Sequence, residues 1–263
     1  MRVKHVRVEV LENHYTHPAI ILFRGIELHT IYRMCKSLQF ESPSLDIGCG
    51  DGIISYMLFN DLFDIGLDNN EANDVREAID QKRYKKVLIE SAEHVSIETN
   101  TVNSIFSNCV LEHIPDVKAV LSEVGRILKP GGKFVFTVPS HRFADYLYYT
   151  AIFRAIRLER VARMYARKRN QLLNHYHCYS RLEWQKLLAF HNIKISHYRY
   201  YISKKSLMLW DKLASIMFVA DLCNVDITRQ IYSIYESRIR ESVEHDRCTG
   251  EEGACLCIVG EKQ

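Results

Sequence analysis

The stretch Leu45-Asp46-Ile47-Gly48-Cys49-Gly50-Asp51-Gly52 decides how this 263-residue chain is read. It passes from a short apolar run into residues of helical period. Glycines in such a strand-to-helix turn let a ligand approach the backbone closely. The spacing excludes two common nucleotide loops. A dinucleotide fingerprint, G-x-G-x-x-G, would place its third glycine at Ile53, and the Gly-Lys-Ser/Thr ending of a P-loop is absent. Asp46 beside the loop is wrong for phosphate and right for a cationic ligand. The next apolar run ends in Asp68, 18 residues after Gly50, where a carboxylate accepts hydrogen bonds from ribose hydroxyls. The ligand so described carries a ribose and a positive charge but no phosphate.

Outward from the loop, short apolar runs alternate with helix-period segments. Residues 44–47, 63–67, 87–90, 104–107 and 134–138 read as buried strands. Between the last two, Val117, Val120, Leu121, Val124 and Leu128 form one apolar helical stripe, opened by Pro115-Asp116 and stopped by Lys129-Pro130-Gly131-Gly132. This alternation predicts an α/β protein with a parallel sheet. Residues 193–201 and 254–259 add two further strands. Hydrophobic residues make up 47% and charged residues 25% of the chain, the composition of an ordinary globular protein and not of a disordered one. A net charge of +3 is too small to argue for nucleic acid.

Five segments in register resemble the class I S-adenosylmethionine-dependent methyltransferases, and cover most of residues 40–140. Asp46-x-Gly48-x-Gly50-x-Gly52 resembles their first motif, and Ile65-Gly66-Leu67-Asp68-Asn69 their second-strand acid. Ser91-Ala92-Glu93 resembles the segment lining the adenine, with Ser91 where an Asp is usual. Asn108-Cys109-Val110-Leu111-Glu112-His113-Ile114-Pro115-Asp116 resembles the fourth-strand end of the small-molecule branch that includes quinone-biosynthesis enzymes. Leu128-Lys129-Pro130-Gly131-Gly132-Lys133 resembles the turn before the fifth strand. The resemblance implies a Rossmann-like three-layer sandwich with a mostly parallel seven-stranded sheet, an antiparallel last strand and helical insertions. It implies S-adenosylmethionine as cofactor and S-adenosylhomocysteine as product. Asp46, Gly48, Cys49, Gly50 and Gly52 would hold the methionine end, Asp68 the ribose, and Asn69, Ala92 and Glu93 the adenine. The backbone of Asn108, Cys109 and Val110 would lie near the methionine moiety. Ahead of the loop, residues 1–40 would cap the cofactor, with Tyr15 or Arg24 reaching the methionine carboxylate. The alternative is that Arg24 pairs with Glu27 one turn on.

Methyl transfer to a hydroxyl needs alignment and removal of a proton. Three histidines are candidate bases: His113 after the fourth strand, His141 after the fifth, and His175 in a His-Tyr-His-Cys-Tyr-Ser segment resembling one in sugar- and glycan-modifying relatives. Two helical regions, 141–180 and 206–247, would cover the acceptor. The frame of the apolar stripe shifts near Arg157, predicting a kink or two helices in 146–174. That region carries Arg154, Arg157, Arg160, Arg163, Arg167, Lys168 and Arg169 against a single acid, Glu159. It reads either as a solvated basic helix or as a surface for an anionic membrane or a lipid-linked glycan. The stripe with Leu207, Trp210, Leu213 and Met217 reads as core or as a homodimer face.

The expected activity is O-methylation of a small-molecule, sugar or lipid-linked glycan acceptor by a single domain spanning 1–263. A methyltransferase acting on RNA or protein, and a cofactor-binding module without turnover, are the alternatives. Eight cysteines without a secretory leader predict reduced thiols and a cytoplasmic protein, peripheral to the membrane if the basic helix binds lipid. Cys248, Cys255, Cys257 and His245 could be drawn as a zinc site, but i,i+2 cysteines on an apolar strand more simply pack into the core. No metal is expected.

Overall fold

A computed structural model describes residues 1–69 and 73–263. Two helices lead the chain, α1 (Val8–His14) and α2 (Pro18–Cys35), the second opened by Pro18 at its first turn and by the His17 ring accepting from the Ala19 amide at 3.2 Å. The core follows as β1 (Ser44–Ile47), α3 (Ile53–Leu58), β2 (Phe63–Asp68), α4 (Asn73–Asp80), β3 (Tyr84–Ile89), β4 (Val102–Asn108), α5 (Val117–Ile127) and β5 (Leu128–Pro139). Helices α6 (Tyr148–Ala155), α7 (Glu159–Leu172) and α8 (Arg181–Ala189) precede β6 (Ile193–Tyr201). Helices α9 (Lys204–Leu222) and α10 (Thr228–His245) precede β7 (Cys255–Lys262).

The seven strands form one sheet in the order β3-β2-β1-β4-β5-β7-β6. β1 to β5 pair in parallel, and β7 runs antiparallel to both β5 and β6. Alternation along β7 shows why both faces need cover. Cys255, Cys257 and Val259 enter a core shared with α2, α9 and α10, whereas Leu256 and Ile258 enter a core shared with α5 and α8. The two strand cysteines therefore serve as core residues, each fully buried.

Three boundaries differ from expectation for identifiable reasons. β5 begins at Leu128 because Leu128 pairs with Val102 and Lys133 with Ser104, so the Lys-Pro-Gly-Gly turn is absorbed as a bulge between them. β3 begins at Tyr84, which pairs with Phe63. α2 begins well before Glu27, because its first two turns pack the N-terminal cap. The expected break near Arg157 is a reversal of backbone hand: Arg157 has φ +61° between α6 and α7.

Candidate active site

The glycine loop crosses the carboxyl ends of β1 and β2, the place where open α/β sheets collect ligands. Its glycines are required one by one. Gly48 has φ +73°, and a Cβ there would lie 2.3 Å from the Val110 side chain; Gly52 has φ +76°, and its Cβ would meet the Tyr84 ring at 2.7 Å. The Tyr84 ring runs beneath the loop, and its hydroxyl donates to Asp46 Oδ2 at 2.6 Å, joined there by the Ser55 hydroxyl at 2.5 Å. Burial pushes the Asp46 carboxyl up to about 6, against the lowering effect of those two bonds. Asp68 Oδ2 accepts the Gly50 amide at 3.0 Å, tying the loop to the second strand.

Two cavities open along this loop. One, of about 300 Å³, is lined by Gly48, Asp68, Asn69, Ser91, Ala92, Glu93, Val110 and His113, among others. Ser91 does not point into it as an acceptor for adenine alone: its hydroxyl donates to Glu93 Oε2 and takes the Glu93 amide, both at 3.2 Å. The second, of about 290 Å³, is lined by Tyr15, Arg24, Asp46, Gly48, Cys49, Gly50, Asn108, Cys109 and Val110. The two share Gly48 and Val110, so they form one continuous trough over the loop. All the residues expected around the cofactor except Gly52 line it; Gly52 is buried behind, against Tyr84.

Beneath the trough lies a hub that sequence reasoning touched only as the alternative for Arg24. Glu27 of α2 is fully buried. Its carboxylate accepts from Arg24 Nη1 at 2.5 Å, Asn108 Nδ2 at 3.1 Å, Cys109 Sγ at 3.0 Å and the Tyr201 hydroxyl at 2.8 Å. Burial raises its pKa, but the Arg24 guanidinium and the hydrogen bonds together hold it below the ordinary carboxylate range. The hub couples the N-terminal cap to the end of β4. Arg24 thus makes its pair with Glu27 while still lining the trough.

Residues 45–136 match the family model described as "Methyltransferase domain". A Coxiella burnetii ubiquinone biosynthesis O-methyltransferase is 30% identical over 108 residues, 40% of this chain and 46% of the relative, so the chain spans about half the length of that relative. A sterol 24-C-methyltransferase from Schizosaccharomyces pombe is 30% identical over 115 residues, 41% of this chain and 30% of the relative. A solved S-adenosylmethionine-dependent methyltransferase from Thermotoga maritima superposes with TM-score 0.55 at 15% identity, covering 97% of this chain and 96% of that one. Residues 45–136 form a class I S-adenosylmethionine-dependent methyltransferase domain. S-adenosylmethionine and S-adenosylhomocysteine are the cofactor and product of this class.

A third cavity, of about 320 Å³, adjoins the methyltransferase domain's trough and shares Tyr15, Arg24, Cys109 and His113 with it. Ile20 and Phe23 of α2, Pro139 at the end of β5, Phe143 after it, Leu173 after α7 and Trp210 of α9 supply apolar walls; Glu112, His113 and His175 stand together along it. Residues of 141–180 and 206–247 thus line this chamber together with α2. Trp210, expected in core or at a dimer face, packs against the core and also walls the chamber. Helix α7 is held over it by Asp211, fully buried, which accepts from the Tyr165 hydroxyl at 2.9 Å and lies 3.2 Å from Arg169.

The three histidine candidates separate. His113 and His175 stand with ring centroids 5.5 Å apart on the chamber wall. His141 lines none of these three cavities: it is exposed, and its ring lies 6.2 Å from that of Tyr200 on the far strand pair. The turn after β5 carries it away because Ser140 is tied down by Gly253 and Ala254 of the β7 approach. Burial lowers the pKa of His113, and takes His175 down to about 4, so both imidazoles are neutral at pH 7.

Glu112 was quoted in the motif but not expected in the site. It is 1% exposed, and burial pushes its carboxyl up to about 8. Phe23, Phe143 and Ile20 were also missed. Ile20 and Phe23 lie one turn apart on α2 and Phe143 follows β5, so no single element's period brings the three together. Glu112 did leave a signal: an acid in the apolar turn Val110-Leu111-Glu112, directly before a histidine.

Proposed function

We propose that this chain transfers a methyl group from S-adenosylmethionine to a hydroxyl of a small-molecule acceptor with an apolar body. The observation that carries this is the chamber of Phe23, Phe143, Leu173 and Trp210 joined to the cofactor trough at Tyr15, Arg24 and Cys109. Adenosine lies along Asp68, Asn69 and Ala92–Glu93, and the methionine end along Gly48, Gly50 and Asn108–Val110. The sulfonium methyl then projects past Cys109 into the chamber. Displacement is in line, and holding nucleophile, methyl and sulfur aligned supplies about 7–11 kcal/mol of the barrier reduction. The Glu112–His113–His175 cluster sits where the acceptor hydroxyl arrives, and activates it.

The lining suits a lipid-linked or aromatic acceptor better than a free sugar. The outer face of α7 supports the lipid form. Arg160, Arg163, Arg167 and Lys168 share that face with Met164, 67% exposed, and Leu172, 59% exposed. Arg154 instead pairs with Asp145 at the surface, and Arg169 turns inward to the buried Asp211. A cationic face with exposed apolar side chains rests on an anionic lipid surface, and α7 leads directly into the chamber residues Leu173 and His175.

Calorimetry and product analysis test the core of this. Asp68→Ala removes the ribose acceptor and weakens S-adenosylmethionine binding by about 1.5–3 kcal/mol, roughly 10- to 100-fold; unchanged affinity would sink the ribose assignment. Formation of S-adenosylhomocysteine with amphipathic hydroxylated acceptors, and none with any of them, separates turnover from mere binding.

A further inference from the structure

Glu112, His113 and His175 each offer one ligand atom, and these atoms lie within 4.8 Å of one another. We propose that they hold a divalent cation, of the zinc, manganese or ferrous class, at the wall of the acceptor chamber.

The geometry of the three side chains carries this. His113 Nδ1 lies 3.2 Å from the Asn174 carbonyl oxygen. A carbonyl only accepts, so Nδ1 bears the proton and Nε2 presents its lone pair. That lone pair faces Glu112 Oε1 at 3.8 Å. Two lone pairs turned toward each other share either a proton or a cation between them, and a third donor atom, on His175, within 4.8 Å of both favours the cation. Fixing a ring nitrogen through its other N–H to a backbone carbonyl is also how proteins orient metal-binding histidines. Glu112 Oε2 is buried, and among the described residues it meets no hydrogen-bond partner. A buried carboxylate oxygen of that kind is costly unless something pairs with it. Helix α7 and the 173–178 segment bring the third ligand: the Phe143 ring packs edge-on against His175 at 5.0 Å and holds it beside His113.

The donor set selects the cation. Two imidazoles and one carboxylate without thiolate favour first-row divalent ions, which accept nitrogen, over magnesium and calcium, which prefer all-oxygen shells. Three protein ligands leave open positions toward the chamber, which is the arrangement of reactive and not of structural metal sites. An acceptor hydroxyl entering one of them would lose its proton more readily, as water does on such ions. That consequence rests on the reading of the chamber as the acceptor site; cation binding itself does not.

Titration calorimetry of the chelator-treated full chain with zinc chloride and manganese chloride tests the site without cofactor or acceptor. One equivalent should bind, and His175→Ala and Glu112→Gln should each weaken it at least tenfold. His141→Ala, outside the cluster, should leave it unchanged. Binding of S-adenosylmethionine by each variant verifies its fold. Absence of saturable heat at millimolar cation, or equal affinity in the three variants and the parent, overturns the proposal. Cation binding in a chain that fails to bind S-adenosylmethionine would instead defeat the methyltransferase reading and leave the cation site standing.

Discussion

Asp46 lies under the glycine loop with its carboxyl facing two hydroxyl donors and no cation. Burial raises it from 3.8 to about 6, so the folded chain keeps a proton there that the unfolded chain has lost. A folded-state pKa above the unfolded value contributes stability that is full below pH 3.8 and falls as pH rises through 6. A shift of that size corresponds to about 3 kcal/mol. Urea unfolding of Asp46→Asn, compared with the parent at several pH values, should show that this decline between pH 4 and 6 has gone. Parallel curves would mean that Asp46 is ionised throughout. Asp46 and Asp68 were both legible as loop acids, because each lies at the carboxyl end of a strand. Their hydrogen-bond partners were not, since Tyr84 and Ser55 reach Asp46 only once β3 and α3 are packed.

Gly25 shows the same division at the level of elements. Nothing in its local sequence marks it, yet α2 and α10 cross so closely there that a Cβ would lie 2.5 Å from Val243 Cγ2. Gly25→Ala gains about 1 kcal/mol of helix propensity and loses about 1–3 kcal/mol to overpacking. A net loss in thermal stability is expected. In a Val243→Ala background the clash is absent, and the same substitution should stabilise. A glycine substitution with the same sign in both backgrounds would show that the helices do not cross at this point. Element existence and order were readable along the core because the apolar periods are short and clean. The Lys-Pro-Gly-Gly turn misled as a strand boundary because pairing with Val102 recruits Leu128 into β5 across it. Arg157 did break the helix as its shifted stripe required.

Over the whole molecule, the cap helices, the sheet and the inserted helices meet at one chamber, with the cationic face of α7 on its outside. Vesicles containing phosphatidylserine should sediment the protein, and pure phosphatidylcholine vesicles should not. Each basic residue near an anionic surface is worth about 1 kcal/mol, so Arg160, Arg163 and Arg167 changed together to Glu should cost at least about 3 kcal/mol, a hundredfold or more. Added salt should weaken sedimentation in the same direction. Equal binding to both lipids would remove the lipid surface from the reading. None of the described helices is long and apolar enough to cross a membrane.

By itself the sequence determined the α/β class, the sheet core and the residues that line the trough over the glycine loop, because those depend on contiguous motifs: glycines at a turn, acids at strand ends, apolar runs of fixed period. Tertiary structure alone decided the Glu27 hub, the aromatic chamber and the meeting of Glu112, His113 and His175. Their members lie far apart along the chain, or, like Glu112, gain their chemistry only from burial, and burial is a property of packing.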